Sequence, residues 1–150
     1  MSDPEQAIEI RNASLDDVPT LIEFLKPFFA KQYILTRTAE ELSTLVRHGF
    51  VATCEDSGKE EIVGFAAIEI YSKKLGEVQS LAVSPDFQGR GIGKDLVGGC
   101  VGRAKAEGVL ELMAITATEK LFRDIGFDYS LPNQKRAVFM QTRSLDEDAS

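Results

Sequence analysis

The sequence predicts an α/β (α+β) domain in which a central mixed sheet carries helices on both faces. Three observations predict it. Apolar residues recur at every second position in some segments and at helical spacing in others, and the two patterns alternate along most of the 150-residue chain. Two β-rich runs flank Glu55-Asp56-Ser57-Gly58-Lys59, whose Asp-Ser-Gly core suits a hairpin turn. Val83-Ser84-Pro85-Asp86-Phe87-Gln88-Gly89-Arg90-Gly91-Ile92-Gly93-Lys94 then leads from a strand end through three alternating glycines into an apolar-periodic helix.

Residues 7–11 (Ala-Ile-Glu-Ile-Arg) alternate apolar and polar, as a half-buried strand does. Ser14, with Asp17 three residues on, starts a helix carrying Leu21, Ile22, Phe24, Leu25 and Phe28, which Pro27 is expected to interrupt. Thr38-Ala39-Glu40-Glu41 is a capping box for a second helix through about Arg47, ended by Gly49. Strands follow from Phe50 to Cys54, from Glu61 to Tyr71 and from Glu77 to Val83. The helix after the glycines places Ile92, Leu96, Val97, Cys100, Val101 and Ala104 on one face and stops at Gly108. Gly98, Gly99 and Gly102 lie inside it, each unfavourable by roughly 1 kcal/mol against Ala unless close packing offsets them. A strand from Leu110 to Thr116, a short helix from about Glu119 to Ile125, and a final strand pair at 127–130 and 137–142 complete the pattern.

The length fits one domain, residues 1–145, burying roughly two thirds of its unfolded surface, with the acid run Asp146-Glu147-Asp148 in a solvated tail at 146–150. Composition is that of a soluble globular protein, 43% apolar and 27% charged. No apolar run spans a bilayer and the first residues lack the features of a signal peptide, so no membrane partner and a cytoplasmic location are expected. A net charge of −7 argues against a nucleic-acid partner. It also favours cationic ligands by steering, so a carboxylate-bearing ligand needs a local Arg. Cys54, Cys100 and His48 lack metal-ligand spacing, and no metal is expected; each Cys reads as a small buried hydrophobe and His48 as a helix C-terminal residue.

The glycine string has the form of a phosphate cradle, because amides at a helix start can converge on an anion where no side chain intervenes. Its spacing is not that of a P-loop: three residues, not four, separate Gly89 from Gly93-Lys94, and Asp95 stands where Ser or Thr is needed. Nor is it a dinucleotide fingerprint, since Lys94 or Leu96 falls where the last glycine should be. What Gln88-x-x-Gly91-x-Gly93 resembles is the acyl-CoA pyrophosphate loop of the GNAT acetyltransferase superfamily. The preceding Glu77-Val78-Gln79-Ser80-Leu81-Ala82-Val83 and the later Leu121-Phe122-Arg123-Asp124-Ile125-Gly126-Phe127 resemble that family's pantetheine-holding strand and its late helix with Gly-Phe exit. Within it, Gly76 to Val83, Thr116-x-Thr118 with Phe122 and Gly126-Phe127, and Ile34 to Leu42 are similar to the acetyltransferase domain of N-acetylglutamate synthase.

The resemblance implies a central mixed, mostly antiparallel sheet of six to seven strands with about four helices, and acetyl-CoA as acyl donor to a small-molecule primary amine. A glutamate- or glutamine-like amino acid leads, with a protein N-terminus, a lysine, a polyamine or a non-catalytic acyl-CoA sensor as alternatives; a homodimer is left open. Glu77 becomes the candidate base, on the strand leading to the loop. Backbone amides at Leu81, Ala82 and Val83 would polarise the thioester carbonyl. Gln88, Gly89, Arg90, Gly91, Ile92, Gly93 and Lys94 would take the pyrophosphate, with Phe122 beside the donor. Arg37, Thr116, Arg143 and Ser144 are assigned to the acceptor. Phe122 stands where many relatives place a Tyr acid, Ile115 where some synthases use Ser, and Thr142 where an Arg is expected before Arg143-Ser144.

Overall fold

The computed structural model describes residues 6–129 and 138–142. Strands β1 (Glu9–Asn12), β2 (Gly49–Asp56), β3 (Lys59–Ser72), β4 (Leu75–Val83) and β5 (Glu111–Met113) form one sheet in chain order. All neighbours run antiparallel except β4 and β5, which are parallel. Helices α1 (Val18–Ala30) and α2 (Ala39–Leu45) pack on one face through Val18, Leu21, Leu25, Leu42 and Leu45. Helix α3 (Ile92–Ala106) and helix α4 (Glu119–Ile125) cover the other through Ile92, Leu96, Val97, Cys100 and Phe122. Burial on both faces explains why residues 62–68 of β3 are apolar without alternation.

Local chemistry sets most boundaries. Ser57 and Gly58 have φ of 53° and 79°, so a two-residue hairpin turn of the favoured handedness joins β2 to β3. Thr38 and Glu41 form the reciprocal capping box at the start of α2, with bonds of 3.0 and 3.1 Å. The Ser14 amide donates to Asp17 over 2.8 Å at a short turn running into α1, and Arg11 grips Asp17 from β1 at 2.7 Å. That pair ties the sheet edge to α1, and it holds the Asp17 carboxyl below its ordinary range.

Several expectations are corrected. Pro27 does not interrupt α1, because it lies close to the helix end, where losing one amide bond is tolerated and the helix stops at Ala30 in any case. The sheet has five strands among the described residues. The strand expected from Leu110 to Thr116 is only Glu111–Met113, and residues 127–129 and 138–142 lie in no strand. The rest of that final pair and the acidic tail fall outside the described residues.

The helical glycines divide by environment. A Cβ at Gly99 would stand 3.2 Å from the Phe50 ring, so this glycine lets α3 sit close on the sheet, whereas Gly98 and Gly102 face open space. Gly98→Ala and Gly102→Ala should each therefore raise the unfolding free energy by about 1 kcal/mol, read from urea midpoints. A loss of stability at either position would mean that this helix face is covered.

No helix among the described residues is long and apolar enough to cross a membrane. Both cysteines are buried, and burial pushes the Cys100 thiol up to about 12, as fits a packing role.

Candidate active site

Gly89 and Gly91 have φ of 80° and 79°, a left-handed backbone that turns the chain sharply into α3, whose N-cap is Gly91. The first amides of a helix have no intrahelical acceptor, and nothing lies within 4 Å of where a Cβ would stand on either glycine. The concavity is thus open and lined by donors, which fits a pyrophosphate. Gly93 differs from both, since a Cβ there would meet Leu121 of α4 at 3.0 Å, and this third glycine serves helix packing. Gln88 closes the loop by donating to the Val83 carbonyl over 3.1 Å.

The cations of the string are engaged elsewhere. Arg90 donates to the Gln6 carbonyl at 2.7 Å and lies over the Phe87 ring at 5.2 Å, while its Nη1 is buried without a partner among the described residues. Lys94 stands 3.4 Å from Asp124, which also pairs with Lys120 at 2.9 Å.

β4 supplies the second part. It pairs with β5 only at Leu75, Gly76 and Glu77, and from Val78 onward it runs without a β5 partner. Its other edge is irregular: Phe65 faces Ala82 and Ala67 faces Gln79, so Ser80 and Leu81 together oppose Ala66. Ser80 takes φ of 58°, the extra residue of a bulge. The fork and the bulge precede Leu81, Ala82 and Val83, which are half-buried to buried on the stretch of β4 without a β5 partner that runs on to the cradle.

Glu77 sits at the fork and is buried, 9% exposed. The Tyr71 hydroxyl donates to its Oε1 over 2.6 Å, and this bond above all raises the phenol to about 12. Tyr71 is the extra residue of a second bulge, since Ile70 pairs with Gly76 and Ser72 with Leu75. Two residues past Glu77, Gln79 Oε1 accepts from Arg37 Nη2 at 2.9 Å, and Arg37 also reaches Glu41 at 3.5 Å. Arg37 belongs to a groove of about 410 Å³ whose polar lining is Arg37, Glu41, Thr44, Arg47, His48 and Glu69. Glu69 is the cross-strand partner of Glu77.

The structure therefore gathers Glu77 and Arg37, 40 residues apart in sequence, and adds Tyr71 and Gln79, which the sequence reading missed. Counting back from the Lys73-Lys74 turn would place Ile70 opposite Glu77; the extra residue at Tyr71 puts Glu69 there instead, and that bulge has no sequence signature. Thr116 and Thr118 bond to each other at 3.0 Å and the Thr118 amide donates to Thr116, a local turn before α4. Phe122 is buried in the core, edge-on to Phe127 at 5.2 Å. Arg143 and Ser144 lie outside the described residues. Among the described residues no group of three or more His, Cys, Asp or Glu could hold a metal.

A left-handed glycine cradle ahead of α3 and a preceding strand that forks and bulges are the features that the resemblance leads one to expect of an acyltransferase using CoA. Residues 17–127 match the family model described as Acetyltransferase (GNAT) family, and the chain belongs to that family. It is 31% identical over 118 residues to an uncharacterized N-acetyltransferase of Chlorobaculum tepidum, covering 79% of this chain and 74% of that one. It is also 31% identical over 134 residues to the amino-acid acetyltransferase of Ectopseudomonas mendocina, covering 84% of this chain but 29% of the longer relative. Among solved structures, N-acetylglutamate synthase from Neisseria gonorrhoeae complexed with coenzyme A and N-acetyl-glutamate superposes with a TM-score of 0.70 at 27% identity, over 85% of this chain and 30% of that one. The Mycobacterium tuberculosis protein Rv2747 in complex with CoA gives 0.71 at 27% identity, over 82% of this chain and 73% of that one. By that match the chain is a member of an acetyltransferase family, and both of these similar structures hold coenzyme A.

Proposed function

We propose that this N-acetyltransferase acts on the α-amine of a small amino acid, glutamate or glutamine first. The observation that carries the proposal is the buried Glu77 at the strand fork, with Arg37 held two residues away on a groove that mixes cations and carboxylates. Such a groove suits a zwitterion, with Arg37 or Arg47 for a carboxylate and Glu69 for the ammonium, and Glu77 is the cross-strand partner of Glu69. Support comes from relatives named amino-acid acetyltransferase and from the synthase solved with N-acetyl-glutamate.

Acetyl-CoA supplies an activated carbonyl and a thiolate leaving group. Glu77 takes one proton from the acceptor ammonium, directly or through water, leaving the nitrogen lone pair free to form the new N–C bond. Amides near Leu81 to Val83 receive the negative charge that moves onto the carbonyl oxygen, in a transfer with no covalent enzyme intermediate. Collapse returns that charge, breaks the C–S bond and sends its electron pair to sulfur. With Phe122 in the place of a Tyr, the thiolate takes its proton from the attacking nitrogen or from solvent. We further infer a cytoplasmic location, where a small acceptor and acetyl-CoA meet, with Arg143 and Ser144 completing the acceptor side.

Free-thiol release against a panel of amino acids, polyamines and peptides tests the reading, with glutamate or glutamine expected to give the highest kcat/KM. Arg37→Met should then raise the acceptor KM roughly tenfold while leaving that for acetyl-CoA unchanged. Turnover of polyamines or peptides alone would replace the acceptor assignment. Phe122 favours a second reading, a non-catalytic acyl-CoA sensor, and binding of acetyl-CoA without thiol release against any acceptor would establish it.

A further inference from the structure

We infer that Tyr71 is the positioning residue of Glu77, and that a directed hydrogen-bond chain Arg37–Gln79–Tyr71–Glu77 joins the acceptor's carboxylate contact to the base. The inference rests on the reading of Glu77 as base. Each link has one sense. Arg37 is donor-only, so Gln79 must present its oxygen to it, and the observed bond is Nη2 to Oε1 at 2.9 Å. The Gln79 amide nitrogen is then left to donate, and the Tyr71 phenol, whose pKa the Gln79 side chain lowers, is the acceptor the proposal assigns to it. The phenol in turn spends its single proton on Glu77 Oε1 at 2.6 Å. One oxygen of Glu77 is thereby pinned, and the other is left to face an incoming amine.

The electrostatics explain why such a donor is needed. Glu69 and Glu77 are directly opposite on β3 and β4, and like charges at that position repel. The Tyr71 hydroxyl lies between them, 2.6 Å from Glu77 and 3.4 Å from Glu69. A donor placed on one carboxylate offsets the repulsion from the other. The same pair of carboxylates holds the phenol protonated far beyond neutral pH. Beyond Glu69, the charged groups of the neighbouring groove are Arg37, which bonds Gln79, Glu41, which pairs with Arg37, and Arg47 and His48. On the β5 side the residue paired with Glu77 is Met113. The bulge at Tyr71 supplies the geometry, because the extra residue turns its side chain along the sheet toward Glu77.

The test is the split between kcat and the acceptor KM for Tyr71→Phe, which keeps the ring and removes the hydroxyl. The kcat should fall by about tenfold, with the acceptor KM, the Kd for acetyl-CoA and the thermal midpoint unchanged. Gln79→Met should lower kcat by less, and add nothing to Tyr71→Phe. An unchanged kcat in Tyr71→Phe would overturn the proposal, as would full additivity of the two variants. Glu77→Gln, measured in parallel, separates the failures. If it keeps full activity, the base assignment falls and the proposal with it; if it is inactive while Tyr71→Phe matches the wild type, only the role of Tyr71 is lost.

Discussion

Glu77→Gln should lose roughly 10²-fold or more of kcat at neutral pH, the range that removing a positioned general base commonly costs. The substitution keeps the side chain's shape and its acceptor for the Tyr71 hydroxyl, so packing at the strand fork should survive. What disappears is the group that takes the ammonium proton. The deficit should shrink as the pH is raised, because a growing share of the acceptor then arrives as the free amine and needs no base. Steady-state thiol release from about pH 6 to about pH 10 measures both effects. Full activity at neutral pH would remove Glu77 from the mechanism, and a loss equally deep at every pH would make its role one of binding.

Gly91→Val should raise the Kd for acetyl-CoA roughly tenfold or more, because a β-branched residue at φ of 79° is strained and the backbone must move to relieve it. No neighbouring atom lies near the missing Cβ, so the penalty comes from backbone conformation and not from a clash within the protein. Gly91→Asn separates the two explanations, since Asn visits the left-handed region more readily and should keep more of the affinity. Calorimetric titration with CoA reads the order Gly, Asn, Val. Equal binding by all three would refute the cradle.

The two variants probe different kinds of information. Gly91 stands out in the sequence because a phosphate cradle is local: glycines, a helix start and a preceding strand lie within about a dozen consecutive residues. The Ser57-Gly58 turn and the Thr38–Glu41 capping box were legible for the same reason, each being settled by residues close together in the chain. Within the glycine string, local reading does not show the tertiary contacts. Gly93 looks like its two neighbours in sequence, yet it packs α3 against Leu121, and Arg90 turns back to Gln6 and Phe87. Gly98, Gly99 and Gly102 also look alike, and only the Phe50 ring distinguishes the middle one.

The acceptor side was less legible because it is assembled across strands. Arg37 meets Gln79 from 42 residues away, a contact that requires α2 to lie on the right face of the sheet at the right height. Tyr71 meets Glu77 only because β3 carries one extra residue at that point, and Ser80 re-aims the backbone of β4 only because β4 carries one opposite Ala66.

By itself the sequence determined the cradle, the hairpin, the helix caps and the family to which they belong, since each is written in short-range chemistry that the chain carries wherever it folds. Tertiary structure alone decided which carboxylate has a phenol on it, which arginines line the groove and which glycines serve packing. The physical reason is register: a single unpaired residue in a strand shifts all later partners, and no local propensity records where that residue falls.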